Sequence, residues 1–286
     1  MREMRFCAAC EIRRIALRSG YRPVTAEAFR GYAAPQSAED DAALPPEVML
    51  STAFSPTARI LKDRPKIRAV CADGRFFKEY RIRGGWKIFR YLFRIPRPFR
   101  VLTAALRLKT AGIDTPEVLL ALRGTVRGGK RSDWLVTAEL SPDAVFADRM
   151  VREGGLPAAK AFLDGFIPVA AAMHAAGIEH GDLNLRNICR NAPPEPARWG
   201  VIDLDGARLG GTPVSIRRRC REVARLATSL RFALAPEARE RLPWEEFLED
   251  CADRYGKAAG MALPRRTLRS AVRRFFAHRA TGERIS

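Results

Sequence analysis

Three polar side chains in the segment 178–209 have the types and the order that phosphoryl transfer from a nucleotide requires. Asp182 is followed five residues later by Asn187, and Asp203 comes directly after the apolar pair Val201–Ile202. In such a reaction one carboxylate orients and deprotonates the acceptor hydroxyl, while an amide and a second carboxylate hold Mg²⁺, which neutralises charge on the β and γ oxygens. Asp182, Asn187 and Asp203 supply one such set of groups.

The elements around these residues form a simple pattern. A strand-like stretch at 187–190 precedes the Pro-rich turn 191–198, and the apolar run Trp199–Leu204 follows the turn. Two strands joined by a short turn are typical of a hairpin. We therefore expect a short hairpin that leads from Asn187 to Asp203.

Upstream, the sequence alternates short apolar runs with turn signals. Strands are predicted at Arg59–Leu61, Ile67–Cys71, Arg75–Tyr80, Pro116–Leu122 and Asp133–Leu140, and a helix is predicted at Phe99–Thr110, closed by Gly112. Asp73-Gly74 is a dipeptide typical of a tight hairpin turn. We expect a small strand-rich lobe over residues 49–140, after an N-terminal extension of unclear role at residues 1–48.

The remainder, residues 141–286, is predicted to be mainly helical. Apolar residues recur at helical spacing over 162–173, where Pro168 is expected to kink or split the helix. Ser215–Leu230 shows a clearer apolar stripe surrounded by Arg. The basic stretch Arg265–Arg279 is expected either to close the lobe as a packed amphipathic helix or to anchor the chain to a membrane.

Length and composition are those of a globular protein. The 286 residues are 47% hydrophobic and 29% charged, which argues against disorder or a fibrous repeat. No apolar run approaches the ~18–20 residues of a spanning helix, and the N-terminus lacks an apolar signal core. We therefore expect a soluble cytoplasmic protein.

The chain is strongly basic, with 51 Lys and Arg against 32 Asp and Glu and a formal net charge of +19. Two interpretations of this charge can hold together: a GC-rich genome that favours Arg codons, and a surface that binds polyanions. Of the six scattered cysteines only Cys7 and Cys10 form a close pair, and no second pair with zinc-ligand spacing follows. Buried or unused thiols are preferred over a metal or redox role.

The motif HGD at 180–182, continued to Asn187, resembles the catalytic loop of the protein-kinase-like fold, where HRD is the usual form. Asp203 stands at the position of the Asp in DFG. The resemblance implies that His180 braces the loop, that Asp182 is the base, and that Asn187 and Asp203 bind Mg²⁺. It also implies a bilobal α+β fold with a small strand-rich N-lobe and a mainly helical C-lobe. ATP and Mg²⁺ are the implied cofactors.

The resemblance also implies a set of ATP-binding residues that precede the catalytic loop in the sequence. Lys78 is the candidate for the Lys that contacts the α and β phosphates. Residues 51–56, beginning with Ser51, stand where a Gly-rich loop is usual and would cover the phosphates through backbone N–H and hydroxyl groups. Glu139 and Leu140 close the last strand of the lobe, where the hinge backbone would hydrogen-bond the adenine.

Four features depart from the protein-kinase pattern. Asn184 takes the place of the catalytic-loop Lys, so that contact to the γ-phosphate is absent or replaced. A Gly-rich loop is missing, and the sequence has no acid between Glu79 and Asp114 to pair with Lys78. Gly181 replaces the Arg that grips a phosphorylated activation loop, which disfavours a protein substrate.

Within this fold the chain is similar to the bacterial lipopolysaccharide kinases over roughly residues 57–232. The similarity is carried by the segments 58–63, 73–83, 108–117, 180–187, 201–205 and 217–226. It implies an ATP–Mg²⁺ kinase that phosphorylates a heptose or 3-deoxy-D-manno-octulosonic acid (Kdo) hydroxyl of the lipopolysaccharide inner core, at the cytoplasmic face of the inner membrane. Asp205 would lie near the substrate or a second metal, or would have a structural hydrogen-bonding role.

The segment 81–100 is rich in Arg and aromatic residues and has no acid. This composition suits an interfacial segment on anionic lipid, single-stranded nucleic acid, or a connection between lobes with solvated Arg and buried aromatics. An anionic inner-membrane surface is the expected partner beside the core sugar, and nucleic acid is not expected.

Other functions remain open from the sequence. Aminoglycoside kinases share the fold, but they carry HGDLHxxN and an acidic pocket for a cationic drug, which the +19 charge disfavours. A catalytically weak kinase-like module that binds lipid or RNA would fit the missing Gly-rich loop, although the intact Asp182, Asn187 and Asp203 count against it. A small atypical kinase concerned with tRNA modification is a weaker possibility.

Overall fold

The computed structural model describes residues 11–26, 29–35, 45–86, 89, 94–124, 130–190 and 198–280. The chain divides into two compact units. The first unit comprises Met1–Leu106 and Pro116–Leu140, and the second unit comprises Arg107–Thr115 and Ser141–Ser286. Cys7 and Cys10 and most of the Pro-rich turn lie outside the described residues.

The first unit is built on a seven-stranded antiparallel sheet. Its strands are β1 (Arg22–Ala26), β2 (Phe29–Ala33), β3 (Arg59–Arg64), β4 (Ile67–Ala72), β5 (Arg75–Arg83), β6 (Val118–Gly124) and β7 (Lys130–Ala138), in the spatial order β1-β2-β6-β7-β5-β4-β3. Residues 1–48, predicted to be an extension of unclear role, thus contribute two strands to this sheet. One face packs a core in which Phe77, Leu122 and Val136 are fully buried.

The predicted hairpin at Asp73-Gly74 is confirmed. Ala72 pairs with Arg75, which leaves Asp73 and Gly74 as the two turn residues between β4 and β5. Both have positive φ, 49° and 66°, as a type I′ turn requires. Asp tolerates this backbone region better than most residues with a side chain, so the dipeptide fixes the register that places Lys78 on β5.

Residues 11–18 are helical and precede β1, and two further helices of the described chain lie between strands of the sheet in sequence. α1 is Pro46–Thr52 and α2 is Arg97–Thr110. α2 ends where Gly112 takes φ 71° and the N–H of Ile113 donates to the carbonyl of Leu108, so the predicted Gly stop is confirmed.

The second unit is mainly helical, as predicted. Its helices are α3 (Ala147–Ala175), α4 (Ile216–Ala233), α5 (Pro236–Arg241), α6 (Trp244–Ala259) and α7 (Arg265–Ala280), and its short strands are β8 (Val145–Phe146), β9 (Ile178–Glu179), β10 (Ile188–Arg190), β11 (Trp199–Val201) and β12 (Arg208–Leu209). β8, β10 and β11 form one small sheet, and β9 and β12 form another.

The break in α3 lies at Gly155, not at Pro168 as the sequence suggested. Gly155 has φ 62° and ψ −146°, a conformation that a residue with Cβ avoids, while the helix continues through Pro168. By length and composition alone α3 could cross a membrane. Its apolar side chains Phe162, Leu163 and Phe166 are fully buried, so within the second unit it is a core helix.

α7 packs against other helices of the second unit. Leu268, Ala271 and Val272 are buried, and the ring of Phe276 meets the rings of Phe232 on α4 and Trp244 on α6 edge-on. Of the two expectations for the basic C-terminal stretch, the structure supports the closing amphipathic helix.

Candidate active site

Two short strand pairs hold the predicted catalytic residues in the second unit. The loop from His180 to Asn187 connects β9 to β10, and Asp203 follows β11 after one residue. β10 and β11 pair antiparallel with Ile188 opposite Val201, and the N–H of Ile202 donates to the carbonyl of Asn187 at 2.9 Å. The predicted hairpin therefore brings Asn187 beside the residue that precedes Asp203.

Asp182 and Asn187 are directly hydrogen-bonded. The Asn187 amide Nδ2 donates to the Asp182 carbonyl at 2.9 Å and to its carboxylate Oδ2 at 3.3 Å. The Asp182 side chain is 53% exposed, so a solvent-borne hydroxyl can reach it. Its other oxygen, Oδ1, accepts from the guanidinium of Arg225 on α4.

His180 connects the loop to the strand that leads to Asp203. Its ring is fully buried, Nδ1 accepts from the N–H of Asp182 at 3.3 Å, and Nε2 lies 2.9 Å from the carbonyl of Ile202. Because Nδ1 is an acceptor, the ring proton lies on Nε2 and is donated to Ile202. The His180 ring thus links the backbone of Asp182, the predicted base, to Ile202, which directly precedes the predicted metal ligand Asp203.

Glu222 on α4 is a site residue that the sequence reasoning missed. Its carboxylate accepts from the backbone N–H of His180 (2.8 Å, Oε2) and of Gly181 (2.7 Å, Oε1). The only signal in the sequence was that Glu222 is the single acid in an Arg-rich helix. The structure makes it the buried anchor of the catalytic loop.

A second layer of hydrogen bonds orients Glu222. His174 on α3 contacts Glu222 through Nε2 at 3.2 Å and the hydroxyl of Tyr255 on α6 through Nδ1 at 2.7 Å. Burial raises the pKa of Tyr255 to about 12, so its hydroxyl keeps its proton. Burial alone would raise the pKa of Glu222, but hydrogen bonds from His174 and the N–H of His180 outweigh it, and the net direction is downward. Glu222 is therefore ionised.

Gly181 permits a close backbone approach within the site. It has φ 84°, and a Cβ at this position would lie 2.3 Å from the carbonyl oxygen of Gly206. The loop therefore cannot accommodate the Arg of HRD at this position without moving the segment after Asp203. Gly181, whose presence in place of Arg disfavours a protein substrate, is therefore also required because a larger residue would clash with Gly206.

Asn184 stabilises the loop locally. Its Oδ1 accepts from the N–H of Arg186 at 3.0 Å, which caps the short 3-10 turn Leu185–Asn187, and its Nδ2 donates to the carbonyl of Asp182 at 3.0 Å. Both halves of the amide therefore act on the loop backbone.

The backbone of Asp203 is strained. It has φ 57° and ψ 57°, and apart from the turn residue Asp73 it is the only non-glycine residue with positive φ in the part of the chain that the structure describes. Strain of this kind costs of order 1–3 kcal/mol and is concentrated at functional positions. The exposed carboxylate of Asp203 precedes the 3-10 turn Leu204–Gly206, which contains the half-buried Asp205.

In the first unit, Lys78 is half-buried on β5 between Ala69 and Leu135 of the neighbouring strands, with Nζ 5.9 Å from the ring centre of Tyr80. The positions on α2 where an acidic partner would be sought are the buried Val101 and Thr103.

The other predicted nucleotide-binding groups of the first unit have local partners. The Ser51 hydroxyl donates to Val48, and the N–H groups of Phe54 and Ser55 donate to carbonyls three residues earlier. Glu139 pairs with Arg59 at 3.3 Å, and its N–H donates to Gly74, while Leu140 is half-buried. The Phe54 and Ser55 donors expected to cover the phosphates are thus engaged within their own segment.

Comparison with known proteins identifies the family. The model of the lipopolysaccharide kinase (Kdo/WaaP) family matches residues 67–249, which is more than half of the chain. The chain belongs to this family. It is therefore an ATP-dependent phosphotransferase that acts on a sugar hydroxyl, and the predicted protein-kinase-like α+β fold is confirmed.

Among solved structures, the chain is similar to WaaP and to a glucosamine kinase. WaaP in complex with acyl carrier protein is 20% identical, with 75% of this chain and 89% of that chain covered and a TM-score of 0.48. Glucosamine kinase in complex with glucosamine, ADP and inorganic phosphate is 14% identical, with 90% of each chain covered and a TM-score of 0.48. No curated protein sequence matches the chain.

The donor set of this lipopolysaccharide kinase family member fits Mg²⁺. The Nδ2 group of Asn187 donates to Asp182, which leaves its amide oxygen for a cation, and Asp203 offers an exposed carboxylate. Mg²⁺ prefers a few protein oxygens completed by phosphate oxygens and water. Among the described residues there is no group of three or more His, Cys, Asp and Glu side chains that could hold a metal ion.

Proposed function

We propose that the chain phosphorylates a heptose or Kdo hydroxyl of the lipopolysaccharide inner core, with Asp182 as base and with Mg²⁺ bound by Asn187 and Asp203. The observation that carries the proposal is the exposed Asp182 carboxylate hydrogen-bonded to Asn187, beside the strained Asp203. The family supplies the sugar acceptor.

Residues of the catalytic loop deprotonate the acceptor hydroxyl and hold the base in position. The acceptor hydroxyl gives its proton to Asp182 as its oxygen bonds to the γ-phosphorus of ATP and the bond to ADP breaks. Mg²⁺, when bound, offsets negative charge on the phosphate oxygens. Asn187 orients the base from one side, and the N–H of Asp182 bonds to the His180 ring, so the carboxylate is positioned before the acceptor arrives.

The remaining predicted residues complete the proposal. Lys78 contacts the α and β phosphates, the backbone of Glu139 and Leu140 binds the adenine, and the Ser51 segment lies near the phosphates. Asn184 shapes the loop in place of a catalytic Lys. Asp205 contacts the acceptor or a second Mg²⁺.

The test is transfer of labelled γ-phosphate from ATP–Mg²⁺ to deacylated inner-core lipopolysaccharide, beside an aminoglycoside and a generic protein acceptor. We expect label in the core sugar that is lost in Asp182→Ala. Asp164→Ala is the matched control, because Asp164 is also an exposed carboxylate paired with an arginine, Arg254, in the second unit. Label in the aminoglycoside alone would identify another small-molecule kinase. ATP binding without label in any acceptor would favour a binding module.

We also propose that the protein acts at the cytoplasmic face of the inner membrane, bound to anionic lipid. Trp86 and Phe89 are 71% and 52% exposed and stack on each other with ring centres 5.7 Å apart. Arg83 and Arg94, both exposed, flank them. Exposed aromatic rings beside cations suit the boundary between headgroups and acyl chains.

Sedimentation with vesicles of phosphatidylcholine alone or with a third phosphatidylglycerol tests this surface. We expect binding to the anionic vesicles that falls with salt and is weakened in the double variant Trp86→Ser/Phe89→Ser. Ile216→Ser, at an exposed apolar residue of the second unit, is the control. Equal binding of both variants would refute the role of the aromatic pair.

A further inference from the structure

The carboxylate proposed as the catalytic base is neutralised by an arginine in this structure. Arg225 Nη1 contacts Asp182 Oδ1, while Asp182 Oδ2 accepts from Asn187. Both oxygens therefore have a donor before any acceptor is bound. An acceptor hydroxyl must therefore compete with these two donors for the carboxylate oxygens of the base.

Arg225 is held in place by its surroundings. Its side chain is only 15% exposed, and its guanidinium carbon lies 5.0 Å from the ring centre of Phe275 on α7. A cation over an aromatic face is stabilised by the ring and oriented by it. The guanidinium thus remains beside the reaction centre when its anionic partner changes.

A second arginine lies on the same side of α4. Arg221 precedes Arg225 by one helical turn, a spacing that places two side chains on one face. Arg221 is half-buried and makes no ion pair with any residue that the structure describes. Nearer the start of the helix, Arg218 pairs with the buried Glu179 at 3.3 Å. Of these three arginines, Arg218 pairs with a buried carboxylate, Arg225 pairs with the exposed carboxylate of Asp182, and Arg221 has no carboxylate partner among the described residues.

We propose that Arg225, together with Arg221, binds an anionic group of the acceptor, a phosphate or a carboxylate close to the hydroxyl that is phosphorylated. This inference rests on the function proposed above and adds the charge that the acceptor must carry. The acceptor's anion takes over the guanidinium of Arg225, and the Asp182 carboxylate is then available to the hydroxyl. An uncharged acceptor leaves Asp182 paired.

The arrangement makes acceptor charge a condition of catalysis. Guanidinium groups bind phosphate and carboxylate through charge-assisted hydrogen bonds, so loss of the acceptor's anion costs at least about tenfold in rate at low acceptor concentration. Water carries no such anion, so hydrolysis of ATP in the absence of acceptor is slow.

The experiment compares three forms of deacylated inner-core lipopolysaccharide: untreated, enzymatically dephosphorylated, and with its carboxylates converted to methyl esters. Wild type, Arg225→Gln, Arg221→Gln and Arg217→Gln are assayed with each form. Arg217 is the matched control, because it is an exposed arginine of the same helix. We expect wild type and Arg217→Gln to lose at least about tenfold in kcat/KM on one modified form, which identifies the anion as phosphate or carboxylate.

The decisive quantity is the ratio of kcat/KM for the untreated and the modified acceptor. We expect this ratio to fall towards one in Arg225→Gln and to fall partly in Arg221→Gln, with a raised KM for the untreated acceptor. A merely structural role would lower both rates and leave the ratio unchanged. If Arg225→Gln does not fold, the half-buried Arg221→Gln still tests the ratio.

Two outcomes would overturn the proposal in different ways. Equal rates on all three forms in wild type would refute the anion requirement and leave the proposed kinase function intact. No label in any form with wild type would refute the proposed function, and this inference with it.

Discussion

The catalytic loop of the second unit and the predicted nucleotide-binding residues of the first unit are positioned by different kinds of contact. The loop is attached to the buried Glu222 through the backbone of His180 and Gly181. Lys78 takes its place from the register of β5, and Ser51 bonds to a carbonyl three residues away. Geometry that depends on buried polar partners tolerates few substitutions, whereas a residue placed by strand register can change without moving its neighbours.

The largest expected effect is at Asp203. Asparagine also tolerates positive φ, so Asp203→Asn keeps the backbone and removes only the charge. We expect phosphate transfer to fall by at least about a hundredfold, because the carboxylate is the charged ligand of the proposed Mg²⁺ site. The measurement is kcat together with the thermal midpoint. Asp164→Asn is the control, and near-normal transfer by Asp203→Asn would remove the metal assignment.

The second prediction compares buried and partly exposed glutamates directly. Glu222→Gln leaves two backbone N–H groups without a charged acceptor, and we expect it to lower the free energy of unfolding by about 3 kcal/mol. Glu139→Gln, in the first unit, should cost less than about 1 kcal/mol, because Glu139 is 36% exposed and its partner Arg59 is 70% exposed, so solvent screens the pair. Urea denaturation measures both. Equal losses would show that the loop anchor is no more important than a surface pair.

Much of the active loop could be predicted because its chemistry is local in sequence. His180, Asp182, Asn187 and Asp203 lie within 24 residues, and the Asp73-Gly74 turn specifies its hairpin through two residues. Glu222 could not be found in this way, because it meets the loop across 41–42 positions of sequence. Its position on α4 resembles that of any charged residue on an amphipathic helix.

The first two strands of the first unit could not be predicted, because their link to the rest of the sheet is through a strand distant in sequence. The sequence places Lys78 correctly on a strand, but the two strands before residue 34 carry no motif, so the sequence predicts only an extension there. They join the sheet because β2 pairs with β6, which is about 90 residues away in sequence. Pairing over such a distance leaves no short-range signal. The predicted split at Pro168 is not found, because the helix continues through Pro168, and the non-helical backbone within α3 lies at Gly155.

Gly181→Ala is expected to have the third largest effect. Alanine would adopt positive φ at a cost of about 1–3 kcal/mol, and its Cβ would also meet the Gly206 carbonyl at 2.3 Å. Gly84→Ala in the first unit is the matched control, because Gly84 has φ 93° and open space around it. We expect Gly84→Ala to lose stability alone and Gly181→Ala to lose stability and activity. Equal effects on kcat would contradict the close approach.

Lys78→Met should weaken ATP binding by about tenfold and leave the fold intact, since one phosphate contact by a single positive charge is lost. Lys62→Met, on the exposed edge strand β3, is the control. Titration of each variant with a fluorescent ATP analogue measures the effect. An unchanged affinity of Lys78→Met for the ATP analogue would show that Lys78 does not contact the nucleotide.

The smallest expected effect is a pH dependence that belongs to Glu222. Its pKa in the folded protein lies below the ordinary value of 4.5, because the hydrogen bonds from His174 and the His180 backbone outweigh burial. A depressed folded-state pKa contributes stability above the unfolded value and loses it as the pH falls through the folded value. The stability difference between wild type and Glu222→Gln should therefore be constant from pH 7 to about 5 and shrink below about 4.5. A difference that grows on acidification would mean that burial prevails and that the loop is anchored by a neutral carboxyl group.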